Sequence, residues 1–81
     1  MPRLKGDIEI GYRAADEFFR LAAEAGVTQN AFEIRTGIQH SSIANWRYGA
    51  TPGGLALQVL LRHGADVEYI LSGKRKPKGG T

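Results

Sequence analysis

Residues Thr28 to Gly49 read TQNAFEIRTGIQHSSIANWRYG, and their punctuation decides the fold. Thr28 is a good N-cap, because a threonine oxygen can satisfy one of the free amides at a helix start. The spacing predicts a short helix over Gln29–Thr36, closed by Gly37, where a positive φ is cheap only for glycine. A further helix is predicted over His40–Tyr48, stopping at Gly49. Phe32, Ile34, Ile38, Ile43 and Trp46 are expected to close over a preceding helix. At about 100° per residue, His40, Ala44, Tyr48, Ser41 and Asn45 fall within an arc of roughly 140°, with Ser42, Ile43 and Trp46 opposite and Arg47 at the boundary. One side of this helix is therefore oily, and the other carries short polar groups around a single small residue.

Two short helices, a tight turn and an outward polar face have the form of a helix–turn–helix, whose second helix is held out for the major groove. The polar side suits base edges. Asparagine can pair with adenine N6 and N7, and serine hydroxyls donate or accept. Ala44 lets the backbone approach closely, and its methyl can touch a thymine methyl. Trp46 and Phe32 read as core residues by their inward phase, not as platforms for stacked bases.

Outward from this stretch the helical signals continue. A first helix is expected over about Tyr12–Ala25, with Ala15, Phe18, Phe19 and Ala22 forming an apolar face and Gly26 ending it. After the loop GATPGG, a leucine-rich helix is expected over about Leu55–His63, and Asp66 can cap a last turn or two over Val67–Leu71. His63 is placed near a helix C-terminus, where partial positive charge is welcome. Alternating β-branched runs are absent. Leu60 to Val67, LLRHGADV, echoes the end of an ankyrin repeat, but such units must stack in at least about three copies, and only one partial match occurs. The expected fold is all-α, a compact bundle of five short helices spanning residues 1–73, with a basic tail over 74–81.

The 81 residues suffice for one domain, and 42% hydrophobic with 23% charged residues is ordinary for a folded chain. With no cysteine, a disulfide framework, a zinc finger and a thiol nucleophile are excluded, and two histidines are too few for a typical structural metal site. No nucleophile and base assemble into a catalytic constellation; neighbouring Asp16 and Glu17 point in different directions on a helix. Neither a membrane span nor an export signal is visible, so a cytoplasmic location is expected. The net charge is +3, yet four of the eleven basic residues lie after Ser72, and the body holds seven basic against eight acidic residues. Glu9, Asp16, Glu17 and Glu24 read as a solvated face turned away from any phosphate backbone. The tail, with Lys74, Arg75, Lys76 and Lys78, reads as a phosphate-attracting arm, a linker to a further domain, or a solubilising end.

TQ…G-I-x-x-S-x-I-x-N-W-x-x-G, followed by G-A-D-V-E-Y-I-L-S-G at Gly64 to Gly73, resembles the lambda-repressor-like family of DNA-binding domains, particularly the phage repressor and Cro group. The resemblance covers about Tyr12 to Gly73. It implies operator binding and transcriptional regulation, usually as a homodimer on near-palindromic double-stranded DNA. It implies no cofactor, no metal and no catalysis. Carried over by position, it implies base reading by His40, Ser41, Ala44 and Asn45, and phosphate contact by Gln29, Gln39, Ser42, Arg47 and Tyr48, with Gln29 also bracing the reading helix. A DNA-facing His40 implies binding that tightens as pH falls below about 6.5, the reference value for a free histidine. Three residues depart from the family pattern: Glu33 stands where a small residue is usual at the helix crossing, and Thr36 and His63 stand where leucine is usual. Glu33 is expected to reach solvent or to pair with an arginine. The rival reading is a protein-interaction module, an antitoxin or anti-repressor partner, which keeps the fold and does not read DNA.

Overall fold

The computed structural model describes residues 5–74, with side chains described from residue 8. The described residues form five helices and no strand: α1 (Lys5–Ala25), α2 (Gln29–Thr36), α3 (His40–Arg47), α4 (Gly54–Arg62) and α5 (Val67–Ser72). The expected all-α bundle is thus present, and the tail from residue 75 lies outside the described residues. None of the described helices is long and apolar enough to cross a membrane.

The helix boundaries follow from local chemistry. Thr28 is extended at φ −71° and ψ 162°, and its hydroxyl accepts from the Ala31 amide at 3.1 Å. Gly37 ends α2 at φ 76°, donating its amide to the Glu33 carbonyl at 2.8 Å. Thr36 completes this turn: its hydroxyl donates to the Phe32 carbonyl at 2.9 Å and accepts from the Ile38 amide at 3.2 Å. A threonine here does by hydrogen bonding what an apolar residue would do by packing. Asp66 caps α5, accepting from the Tyr69 amide at 3.0 Å.

α1 differs most from expectation. It starts at Lys5, seven residues before the expected Tyr12, and its 21 residues make it the spine of the bundle. Gly6 and Gly11 lower the local helix propensity, but packing overrides propensity here. A side chain at Gly11 would run into the carbonyl of Ala50 and come within 2.7 Å of the carbonyl of Trp46, both backbone atoms. Gly11 is therefore the point where α1 meets the end of α3, and Ile8, one turn earlier, covers Gly49.

Packing is organised around α1, which lies against α3 and α5 and, at its C-terminal end, α2; α4 packs on α5. Phe18, Ile43, Leu60 and Ile70 are fully buried, one each from α1, α3, α4 and α5, and Phe32 of α2 joins them edge-on to Phe18 at 5.1 Å between ring centres. His63 caps α4, as expected, and sets its ring edge-on to Phe32 at 5.6 Å. Arg13 on α1 donates to the Ile70 carbonyl at 2.9 Å, satisfying a carbonyl in the last turns of α5.

Two core assignments are corrected. Ile34 does not close over α1 but is 76% exposed, because two residues of helix rotate it about 200° away from buried Phe32. Glu17 is not on a solvated face: it is 0% exposed. Its carboxylate accepts from Arg20 at 2.6 and 3.1 Å and from the backbone amide of Asp66 at 3.0 Å, joining α1 to the cap of α5. Such pairing satisfies the rule that a buried charge must be partnered. Its hydrogen bonds to Glu17, with Glu24 adding to them, raise the proton affinity of Arg20 above its ordinary value, against partial desolvation. Asp16 and Glu24 are exposed, as expected, whereas Glu9 is half-buried.

Candidate nucleic-acid interface

α3 is held by its apolar side. Ile43 and Trp46 are 1% and 4% exposed, pinned between α1 and the turn that carries Ile38. This fixes which side chains α3 turns outward. His40, Ser41, Asn45 and Tyr48 are exposed, with Tyr48 at 88%, and Ala44 is half-buried between them. Arg47 at the boundary is exposed as well. The arc computed from helical phase is the arc the fold presents. Ser42 is half-buried on the opposite side, and Gln39 is exposed as the extended residue before α3, at φ −76° and ψ 151°, without a side-chain capping bond.

The residues placed together by the fold line a shallow groove between three helices: Phe19 from α1, Gln29 from α2, and His40, Ile43, Ala44, Arg47 and Tyr48 from α3. The Arg47 guanidinium lies 5.7 Å from the centre of the Phe19 ring, a cation–π distance that tethers a mobile charge beside the groove. Phe19 is thus half-buried as a wall of the groove. No sequence signal separates it from Phe18, the core phenylalanine next to it on α1.

Gln29 reaches α3. Its amide nitrogen lies 3.2 Å from Nδ1 of His40 and donates to Glu33 Oε2 at 2.9 Å. Through this one amide nitrogen the side chain of Gln29 spans from Glu33 on α2 to His40 on α3. Glu33 corrects an expectation: it reaches neither open solvent nor an arginine, but bonds Gln29 one turn before it and lies 3.3 Å from His40 Nδ1. The signal was available, since Gln29 and Glu33 are four apart and share a helix face.

This surface turns amide, hydroxyl, imidazole, phenol and guanidinium groups outward and apolar groups inward. Among the described residues no three histidine or acidic side chains converge as metal ligands would. The charges at the groove are Arg47, which lines it, and the half-buried Glu33, 3.3 Å from the lining residue His40. The chain matches no protein-family model, no curated protein and no solved structure.

Proposed function

We propose that this protein binds double-stranded DNA sequence-specifically, with α2 and α3 as a helix–turn–helix and α3 in the major groove, and acts as a transcriptional regulator of the phage repressor and Cro kind. One observation carries the reading: α3 buries Ile43 and Trp46 while leaving His40, Ser41 and Asn45 exposed on one outward arc. A helix of 8 residues, held at its back by aromatic and aliphatic anchors, fits the groove of B-DNA with side chains short enough to reach base edges. Asn45 is assigned to an adenine, Ser41 and Ala44 to adjacent edges, and Gln39, Arg47 and Tyr48 to flanking phosphates, which orient the domain without reading sequence. Ser42, half-buried behind this arc, serves the backbone more than the bases. Two copies on a near-palindromic site place half-sites about one helical turn apart. On this reading the protein needs no cofactor and catalyses nothing, and its place of action is the cytoplasm.

The test uses a duplex recovered by selection from a random pool. Asn45→Ala is expected to weaken binding to that duplex by about 1–3 kcal/mol and to relax one base position, with binding to random DNA unchanged. Equal loss on both duplexes would reduce Asn45 to a structural or phosphate role. Random-sequence affinity is expected to fall steeply as salt rises, because phosphate contacts release counterions. The second reading, a protein-interaction module, draws on Leu55 and Leu61 of α4 and Leu71 of α5, which are 74%, 60% and 50% exposed. It predicts no salt-dependent affinity for DNA at all.

A further inference from the structure

Arg13, Arg20 and Arg47 are each placed by a different kind of contact. Arg13 donates to the Ile70 carbonyl at 2.9 Å, and Arg20 donates to Glu17 and to Glu24 at 2.6 Å. Those two guanidinium groups tie the bundle together. The Arg47 guanidinium lies instead over the Phe19 ring, 5.7 Å from its centre. An aromatic face attracts the charge as a whole and cannot satisfy the five N–H donors that the group carries. Phe19 is itself held in place: it is half-buried and edge-on to fully buried Phe18, at 5.8 Å between ring centres. The ring is thus a fixed seat for a charge that still has donors to offer. Arg47 is exposed and borders open space on two sides. One is the groove it shares with Gln29, His40 and Tyr48, and the other is a second depression lined by Tyr12, Ala15 and Asp16.

We infer that Phe19, without touching DNA, helps set the affinity for it, by seating the Arg47 guanidinium so that the groove grips one backbone phosphate of a bound duplex. This rests on the DNA-binding reading above and adds to it a residue of α1. The ligand follows from the donors. The N–H groups of a guanidinium form a planar fork that matches two phosphate oxygens, and the phenol of Tyr48, which lines the same groove, offers another donor. The phosphate enters from the groove, because the other open side of Arg47 holds the exposed carboxylate of Asp16, which repels an anion. Glu33 does not bar the groove side. It is bonded by Gln29 and lies beside His40, which is about 10 Å from Arg47 along α3, a distance over which salt screens most of the repulsion. Affinity then comes from preorganisation. An untethered arginine gives up much rotamer freedom on holding a phosphate, and one already seated on a ring gives up less. Phe19 is a positioning residue, acting through Arg47.

The experiment is a double-mutant cycle on a random-sequence duplex, read over a range of salt. Arg47→Ala is expected to lower the slope of log affinity against log salt by about 0.9, the share of one phosphate. Phe19→Leu keeps an apolar wall but removes the ring; it is expected to cost about three- to tenfold in affinity and to leave the slope unchanged. In the Arg47→Ala background the same change is expected to cost nothing further. Phe19→Met is a second ringless variant should the leucine protein not fold, and Phe19→Tyr, which keeps the ring, is expected to bind like the unmodified protein. In the free protein, NMR is expected to show the side-chain protons of Arg47 shifted by the ring current of Phe19, and the shift is expected to vanish in the ringless variants. A Phe19 that merely supports the fold would cost affinity equally with and without Arg47, and that result overturns the inference. Unchanged affinity in both ringless variants, or an Arg47 without a ring-current shift, overturns it as well. If the unmodified protein has no salt-dependent affinity for any duplex, the DNA-binding reading itself has failed and the phosphate grip goes with it, whereas the ring-current shift still reports on the pairing of Arg47 with Phe19.

Discussion

Gly11→Ala is expected to destabilise the protein, although the same change inside a helix is ordinarily favourable by up to about 1 kcal/mol. The sign reverses because the added methyl would meet the carbonyls of Ala50 and Trp46. Those are backbone atoms and cannot rotate aside, so α1 must move away from the end of α3. Overpacking of this kind costs about 1–3 kcal/mol and occasionally more. A net loss of about 2 kcal/mol lowers the melting temperature of a domain this size by roughly 8–16 °C. Because α1 is what holds Ile43 and Trp46, the DNA affinity proposed for α3 is expected to fall with stability. Thermal unfolding followed by circular dichroism gives the answer, and a melting temperature equal to or above that of the unmodified protein would show that the two helices do not meet at Gly11.

A similar loss is expected from Glu17→Ala. The change removes the acceptor for the Asp66 amide and the buried partner of Arg20 from a position that is 0% exposed. Breaking a fully buried ion pair costs about 3–5 kcal/mol. Arg20 keeps 34% side-chain exposure and a second partner in Glu24, at 2.6 Å, so water and Glu24 absorb part of this. About 2–3 kcal/mol remains. Asp16→Ala, one residue earlier and exposed, is expected to stay within about 0.5 kcal/mol. Denaturant unfolding of the pair of variants measures the difference, and equal midpoints would return Glu17 to the surface. The proton affinity of Arg20 is raised, so the stability it lends is present below its ordinary range and lost only in strong alkali. Arg20 itself therefore adds no pH dependence near neutrality.

What was legible in the sequence was what local chemistry dictates. Thr28 and Gly37 bound α2 at the expected residues because a hydroxyl cap and a left-handed glycine act within one turn of chain. The outward arc of α3 followed from helical phase, since Ile43 and Trp46 left only one way to bury the helix. What escaped depends on residues far apart in sequence. Glu17 looks like its acidic neighbours until the amide of Asp66, 49 residues later, is brought to it. Gly11 looks like a helix breaker until the carbonyls at the end of α3 arrive beside it. Ile34 is a different case, since its phase relative to Phe32 points outward although the residue is apolar. Glu33 meets Gln29 one turn before it on α2, a pairing that the four-residue spacing already allowed.

Chemical-shift mapping of the protein titrated with a selected duplex tests the central claim most directly. The prediction is that amide signals over His40–Tyr48 move most, together with the side-chain amides of Asn45 and Gln29, while signals of Asp16, Glu24 and the exposed leucines of α4 stay in place. Shifts confined to Leu55, Leu61 and Leu71, or none at all on adding DNA, would contradict a reading helix at α3.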